Sequence, residues 1–121
     1  MLTLICGHPR AGKTTYSKQF EDECKVLHLD YCGRYGGVIQ SVQHLHGNIV
    51  VEGVYNKAEQ RKALIRAYHG RHTKCIWLDT PLEVRQTREG YHKHNEYFEP
   101  PTYSEGWDEI IIIGDNNGES N

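Results

Sequence analysis

The sequence predicts a single α/β domain: a mainly parallel sheet of five strands, in the order 2-3-1-4-5, with helices on both faces. Three observations carry this. Short apolar runs rich in β-branched residues recur along the chain. Segments of helical length and spacing separate them. The first run leads directly into Gly7-His8-Pro9-Arg10-Ala11-Gly12-Lys13-Thr14, a complete G-x-x-x-x-G-K-[ST] phosphate-binding loop flanked by a strand and a helix. At 121 residues there is room for one core and one module.

Leu2-Thr3-Leu4-Ile5-Cys6 suits a buried first strand, and Lys13 to Glu23, free of Gly and Pro, reads as the helix that follows the loop. Val26 to Leu29 is a brief second strand ending at Asp30. Residues 31–37, Tyr-Cys-Gly-Arg-Tyr-Gly-Gly, break regular structure. Val38, Ile39, Val42 and Leu45 fall at helical spacing, and His46-Gly47-Asn48 closes that helix. Ile49-Val50-Val51 is a fully buried parallel strand ending at Glu52-Gly53. Lys57 to Tyr68 is helical, and Lys74 to Leu78 is the fourth strand, ending at Asp79. Thr80-Pro81-Leu82-Glu83 matches a capping box with Pro at the first helical position, so a helix carrying Arg85 and Arg88 starts there and fails at Gly90. Residues 91–105 have no period and are expected to form a mobile loop. Asp108 to Ile113 is the last strand. The domain spans 1–114, with a lid at about 85–98 and a polar tail at 115–121.

The composition, 37% hydrophobic and 25% charged, is that of an ordinary globular protein, and no apolar run is long enough to cross a bilayer. No signal peptide is visible, so a cytoplasmic location is expected. Net charge is −2, which excludes a global basic footprint for nucleic acid and leaves only a local patch. Cys6, Cys24, Cys32 and Cys75 form no C-x-x-C pair and are expected to be reduced. The pairs His44-x-His46, His69-x-x-His72 and His92-x-His94 lack a Cys or acidic partner at ligand spacing, so no structural zinc is expected.

In an open parallel sheet, ligands bind outside the carboxyl ends of the strands, so the residues there carry the chemistry. Backbone N–H groups from Gly7, His8, Pro9, Arg10, Ala11, Gly12, Lys13, Thr14 and Thr15 (Pro9 contributing shape only) would cradle the phosphates of a nucleoside triphosphate, expected to be ATP. Lys13 would reach the β- and γ-phosphates and the Thr14 hydroxyl would ligate Mg²⁺. Asp30 is the candidate general base, because a carboxylate opposite the leaving nucleotide can accept the attacking hydroxyl's proton. Glu52 would hold Mg²⁺ through water or contact the acceptor, while Asp79 is explained by the helix it precedes. Arg85 and Arg88, at i and i+3, could both face the phosphates, with His92, Lys93 and His94 extending that surface. The competing reading is a solvated helix face paired with Glu83 and Glu89.

Taken together, these residues resemble the 5′-hydroxyl polynucleotide kinase family, the P-loop phosphotransferases of phage and of DNA and RNA end repair. The resemblance rests on Gly7-x-Pro9-x-Ala11-Gly12-Lys13-Thr14-Thr15, on Asp30 followed by Arg34, and on Val50-Val51-Glu52-x-x-x-Asn56. It extends to Thr80-Pro81-Leu82-Glu83 with the arginines that follow, and to Phe98-Glu99-Pro100-Pro101-Thr102-x-Ser104-Glu105-Gly106-Trp107. It implies transfer of the γ-phosphate to the 5′-hydroxyl of a DNA or RNA end, with Asp30 as base, Arg34 on the acceptor, and Lys13 with Arg85 or Arg88 on the phosphates. The sequence departs from the family in having Glu rather than Asp at 52 and a short segment between the arginines and Phe98. A kinase acting on a nucleoside, nucleotide or sugar hydroxyl is the alternative, and a nucleotide-binding switch is a third reading.

Overall fold

The computed structural model describes residues 1–29, 34–88 and 97–114. Asp30, Cys32, residues 89–96 of the expected lid and the 115–121 tail lie outside the described residues. Five parallel strands form one sheet: β1 (Leu2–Cys6), β2 (Lys25–His28), β3 (Ile49–Gly53), β4 (Thr73–Asp79) and β5 (Glu109–Gly114), in the order β2-β3-β1-β4-β5. Among the described residues the α-helices are α1 (Lys13–Ser17), α2 (Tyr35–His44), α3 (Ala58–Ala67) and α4 (Leu82–Gln86). The expected fold and strand order are both observed.

Period-two alternation assigns the two faces. Leu2, Leu4, Cys6, Leu27, Val51 and Cys75 point toward α2 and α3, where Val38, Val42 and Leu64 meet them. Ile5, Val50, Ile76 and Leu78 point the other way, with Ala11, Tyr16 and Phe20 packed among them. The central strands β1 and β3 are buried throughout, which is why they read as unbroken apolar runs. Cys6 and Cys75 are reduced and buried, their sulfurs 3.7 Å apart between adjacent strands.

Several boundaries differ from the sequence expectation. The helix expected over Lys13–Glu23 stops at Ser17 and tightens into a 3₁₀ turn over Lys18–Phe20. There Ser17 Oγ donates to the Thr14 carbonyl and Cys24 N–H to the Phe20 carbonyl, turning the chain toward β2. Helix α2 starts at Tyr35 and takes Gly36 and Gly37 into its first turn, a segment expected to be irregular; the Arg34 carbonyl accepts from both Gly37 and Val38 N–H.

The largest departure lies at 97–105. Far from being a mobile loop, this stretch is bound to the body of the domain. The Glu99 N–H donates to the Asn56 carbonyl, and its Oε1 accepts from the Ala58 N–H at the start of α3. Thr102 and Glu105 cap a 3₁₀ turn over Tyr103–Glu105. Beneath it, Arg61 is fully buried; its Nε and one terminal nitrogen bind both oxygens of Glu105 at 2.7 and 2.9 Å. The other terminal nitrogen donates to the Tyr55 carbonyl at 2.7 Å, and the Trp107 indole N–H donates to Glu105 at 3.0 Å. Burial disfavours the Glu105 carboxylate, but the hydrogen bonds from Arg61 and Trp107, the Arg61 charge and the Thr102 N–H outweigh it and hold the carboxyl below its ordinary value.

Replacing Arg61 by Leu or Glu105 by Gln is therefore expected to cost roughly 3 kcal/mol, since each strands a buried polar or charged partner. Urea denaturation at neutral pH measures it. Glu105's folded-state pKa is depressed, so its contribution is present above the unfolded value of about 4.3 and is lost as pH falls through the lower folded value. Wild-type stability should fall over that acid range and the Glu105→Gln variant's should fall less.

Candidate functional site

The loop between β1 and α1 sits at the carboxyl end of the sheet, with a backbone that only its own residues permit. Gly7 is buried, and a Cβ there would lie 2.7 Å from the Leu78 carbonyl oxygen, so strand β4 approaches too closely for a side chain. Gly12 has φ of 100° and Arg10 of 67°, both in the left-handed region. The Ala11 N–H closes the loop onto the His8 carbonyl at 3.0 Å, and Lys13 Nζ donates to the same oxygen at 2.8 Å. Lys13 is thus folded over the concavity formed by its own loop. Thr14 and Thr15 are exposed at the start of α1.

Glu52 is the penultimate residue of β3, on the α1 side of the sheet. It is 4% exposed, yet it meets two polar groups at one oxygen: Thr14 Oγ1 donates to Oε1 at 3.3 Å, and His28 Nδ1 lies 2.8 Å from the same atom. A carboxylate only accepts, so the histidine carries its proton on Nδ1. His28 and Glu52 are register partners across β2 and β3, which places both side chains on one face. His28 was missed by the sequence reading. Its signal was available: it lies on the second predicted strand, one of whose neighbours was expected to end at the acid Glu52.

The other wall comes from the segment after β4. Thr80 does not cap α4, contrary to the capping-box expectation; Pro81 occupies the N-cap position, and no side chain caps the helix. Thr80 Oγ1 instead donates to the Ala11 carbonyl at 2.8 Å, fastening the phosphate loop to β4's exit. Arg85 is 2% exposed, and its Nε donates to the Thr80 carbonyl at 3.0 Å, so this arginine fixes the start of α4 from inside. Arg88 reaches the loop itself: its Nη1 bonds the Arg10 carbonyl and lies 3.4 Å from where a Gly12 Cβ would stand. The i, i+3 pair is thus split between a buried support and a group lying over the loop.

Phe98 leans on the same region, stacked on Trp77 with centroids 5.4 Å apart and tilted against His8 at 5.1 Å. Arg34 is exposed at the N-cap of α2, on the β2 side of the sheet. Asp79 is exposed at the end of β4. The site thereby gathers Lys13, Thr14, Glu52 and Arg88 around one loop. Asp30 lies outside the described residues.

The fold and its loop place this chain among α/β proteins with a phosphate-loop motif at the first strand–helix junction. Among solved structures, the fold is similar to that of a sugar kinase from Janibacter sp. HTCC2649, with TM-score 0.66, 14% identity, and coverage of 93% of this chain and 84% of that one. It is also similar to the structure of APE1195, with TM-score 0.67, 17% identity, and coverage of 100% of this chain and 86% of that one. The sequence matches no protein-family model and no curated protein significantly.

The Thr80–Ala11 bond is what holds the loop from its far side. A Thr80→Val variant, equal in shape but without the donor, should lose about 1 kcal/mol of stability by thermal unfolding. Its amide hydrogen exchange should rise selectively at 10–14.

Proposed function

We propose that this chain is a nucleoside-triphosphate-dependent phosphotransferase that moves the γ-phosphate to a hydroxyl of a small acceptor, such as a sugar or nucleoside. The observation that carries it is the Thr14–Glu52 contact beside Lys13, which joins a phosphate-loop hydroxyl to a strand-end carboxylate at the carboxyl edge of a parallel sheet. Similarity in fold to a sugar kinase supports a small acceptor.

Lys13 exchanges its bond to the His8 carbonyl for the β- and γ-phosphates of the donor, ATP by expectation, and the loop N–H groups hold the bridging oxygens. Thr14 Oγ1 and Glu52 form an all-oxygen donor pair that suits a hard divalent cation such as Mg²⁺. When bound, that ion offsets phosphate charge. Because Thr14 gives its proton to Glu52, its oxygen lone pairs remain for the cation. Arg88, already over the loop, stabilises charge on the transferring group, with Arg85 bracing the helix that precedes it. Asp30 remains the base proposed for the acceptor hydroxyl, and Arg34 the residue proposed to hold the acceptor.

Transfer to a nucleic-acid 5′-hydroxyl is the second reading, carried by the sequence resemblance at the phosphate loop, Asp30 and Arg34. The Phe98–Trp107 segment adds less to it than its sequence suggests. Glu99 serves the α3 N-terminus, Glu105 neutralises Arg61, and Trp107 is 4% exposed, so packing alone accounts for these residues.

Labelled ATP, Mg²⁺ and a panel of sugars, nucleosides and 5′-OH oligonucleotides test the proposal: transfer to a small acceptor is expected. Transfer to oligonucleotides alone, with steep salt dependence, would replace it with the second reading. No transfer to any hydroxyl, with nucleotide still bound, would leave a switch. Lys13→Ala should lower kcat by about 100-fold or more, read in the same assay.

A further inference from the structure

Glu52 receives both of its hydrogen bonds on Oε1, from Thr14 and from His28, and Oε2 takes none from the described residues. The carboxylate is 4% exposed and the His28 side chain 15%, so the pair is largely removed from water, while Thr14 is exposed on the loop side. A glutamate has three side-chain torsions, and one donor at 3.3 Å does not hold all of them. The shorter bond, 2.8 Å to an imidazole carried on the adjacent strand, does.

We propose that His28 is a positioning residue for the metal–nucleotide site: its Nδ1–H fixes Glu52 so that Oε1 takes the Thr14 proton and Oε2 is presented to the hydrated cation. This rests on the phosphotransferase reading of the loop. The chemistry is that of outer partners which orient a metal site's carboxylate without touching the metal. His28 acts here as an N–H donor to Glu52. It touches neither phosphate nor acceptor; its influence passes through Glu52 to Thr14.

Equilibrium binding of a fluorescent ADP analogue, measured with and without Mg²⁺, separates the possibilities without requiring turnover. Wild-type protein should bind the nucleotide more tightly with Mg²⁺. His28→Leu should raise the Mg²⁺ concentration at half-effect about 10-fold while leaving Mg²⁺-free binding unchanged. His28→Asn, whose amide nitrogen can stand where Nδ1 stands, should recover most of the loss. In a Glu52→Gln background, His28→Leu should cause no further loss. Should the leucine variant not fold, His28→Gln carries the same test, because its amide nitrogen extends to the Nε2 position instead.

An unchanged Mg²⁺ dependence in the leucine or glutamine variant would overturn the proposal, as would an asparagine variant no better than leucine. Absence of any Mg²⁺ effect in the wild type would overturn the reading of the loop itself, and this inference with it.

Discussion

One buried guanidinium organises the half of the molecule that faces the site. Arg61 on α3 binds the Tyr55 carbonyl just after β3, both oxygens of Glu105, and the Pro100 carbonyl. Two stretches remote in sequence, 55–61 and 100–105, are thereby held at one point. Tyr55 has φ of 41°, a conformation that costs a non-glycine residue on the order of 1 kcal/mol or more, and the Arg61 bond to its carbonyl is among the contacts that hold it. Its ring then meets Tyr35 of α2 edge-on at 4.9 Å. A salt bridge this deep is not a cheap source of stability, since desolvating both ions offsets much of their attraction. What it supplies is geometry. The strap over 97–105 and the exit of β3 share a single anchor, and Phe98 is thereby set against His8 and Trp77 at the phosphate loop.

The sheet was legible because its signals are local. β-branched runs, glycine punctuation and a motif with obligatory flanks identify the strands and the loop between β1 and α1. The order 2-3-1-4-5, expected with the fold class, is the one observed. What the sequence obscured were side chains whose roles depend on distant partners. Arg61 looks like any charged residue on an amphipathic helix, and only the arrival of Glu105 and Trp107 explains its burial. Thr80 sits in a flawless local capping pattern, yet the Ala11 carbonyl, brought in by β1 and β4 pairing, competes for its hydroxyl and wins. The 97–105 stretch lacks periodicity because its anchors are scattered polar contacts to Asn56, Ala58 and Arg61 rather than a repeating face.

The candidate site was partly legible for the same reason. Lys13 and Thr14 are specified by the motif, and Glu52 by its place at a strand end. Arg85 and Arg88 were expected on one helix, but α4 ends at Gln86, so Arg88 lies beyond it; one arginine is sealed under Thr80, the other rests on Arg10. Spacing alone carries no such distinction, because burial is a property of what the helix packs against. His28 escaped notice through the opposite defect. Asp30, close by in sequence, offered more obvious chemistry, and a histidine gains meaning only once β2 is laid beside β3.

The bonds that shape the phosphate loop span the chain: Thr80 to Ala11 across 69 residues, and Arg88 to Arg10 across 78. The motif is complete by Thr14, but its far wall does not exist until β4 and α4 have been added. During synthesis, then, an N-terminal segment carrying every motif residue emerges long before the concavity those residues line. The loop's final shape therefore waits on β4 settling against β1.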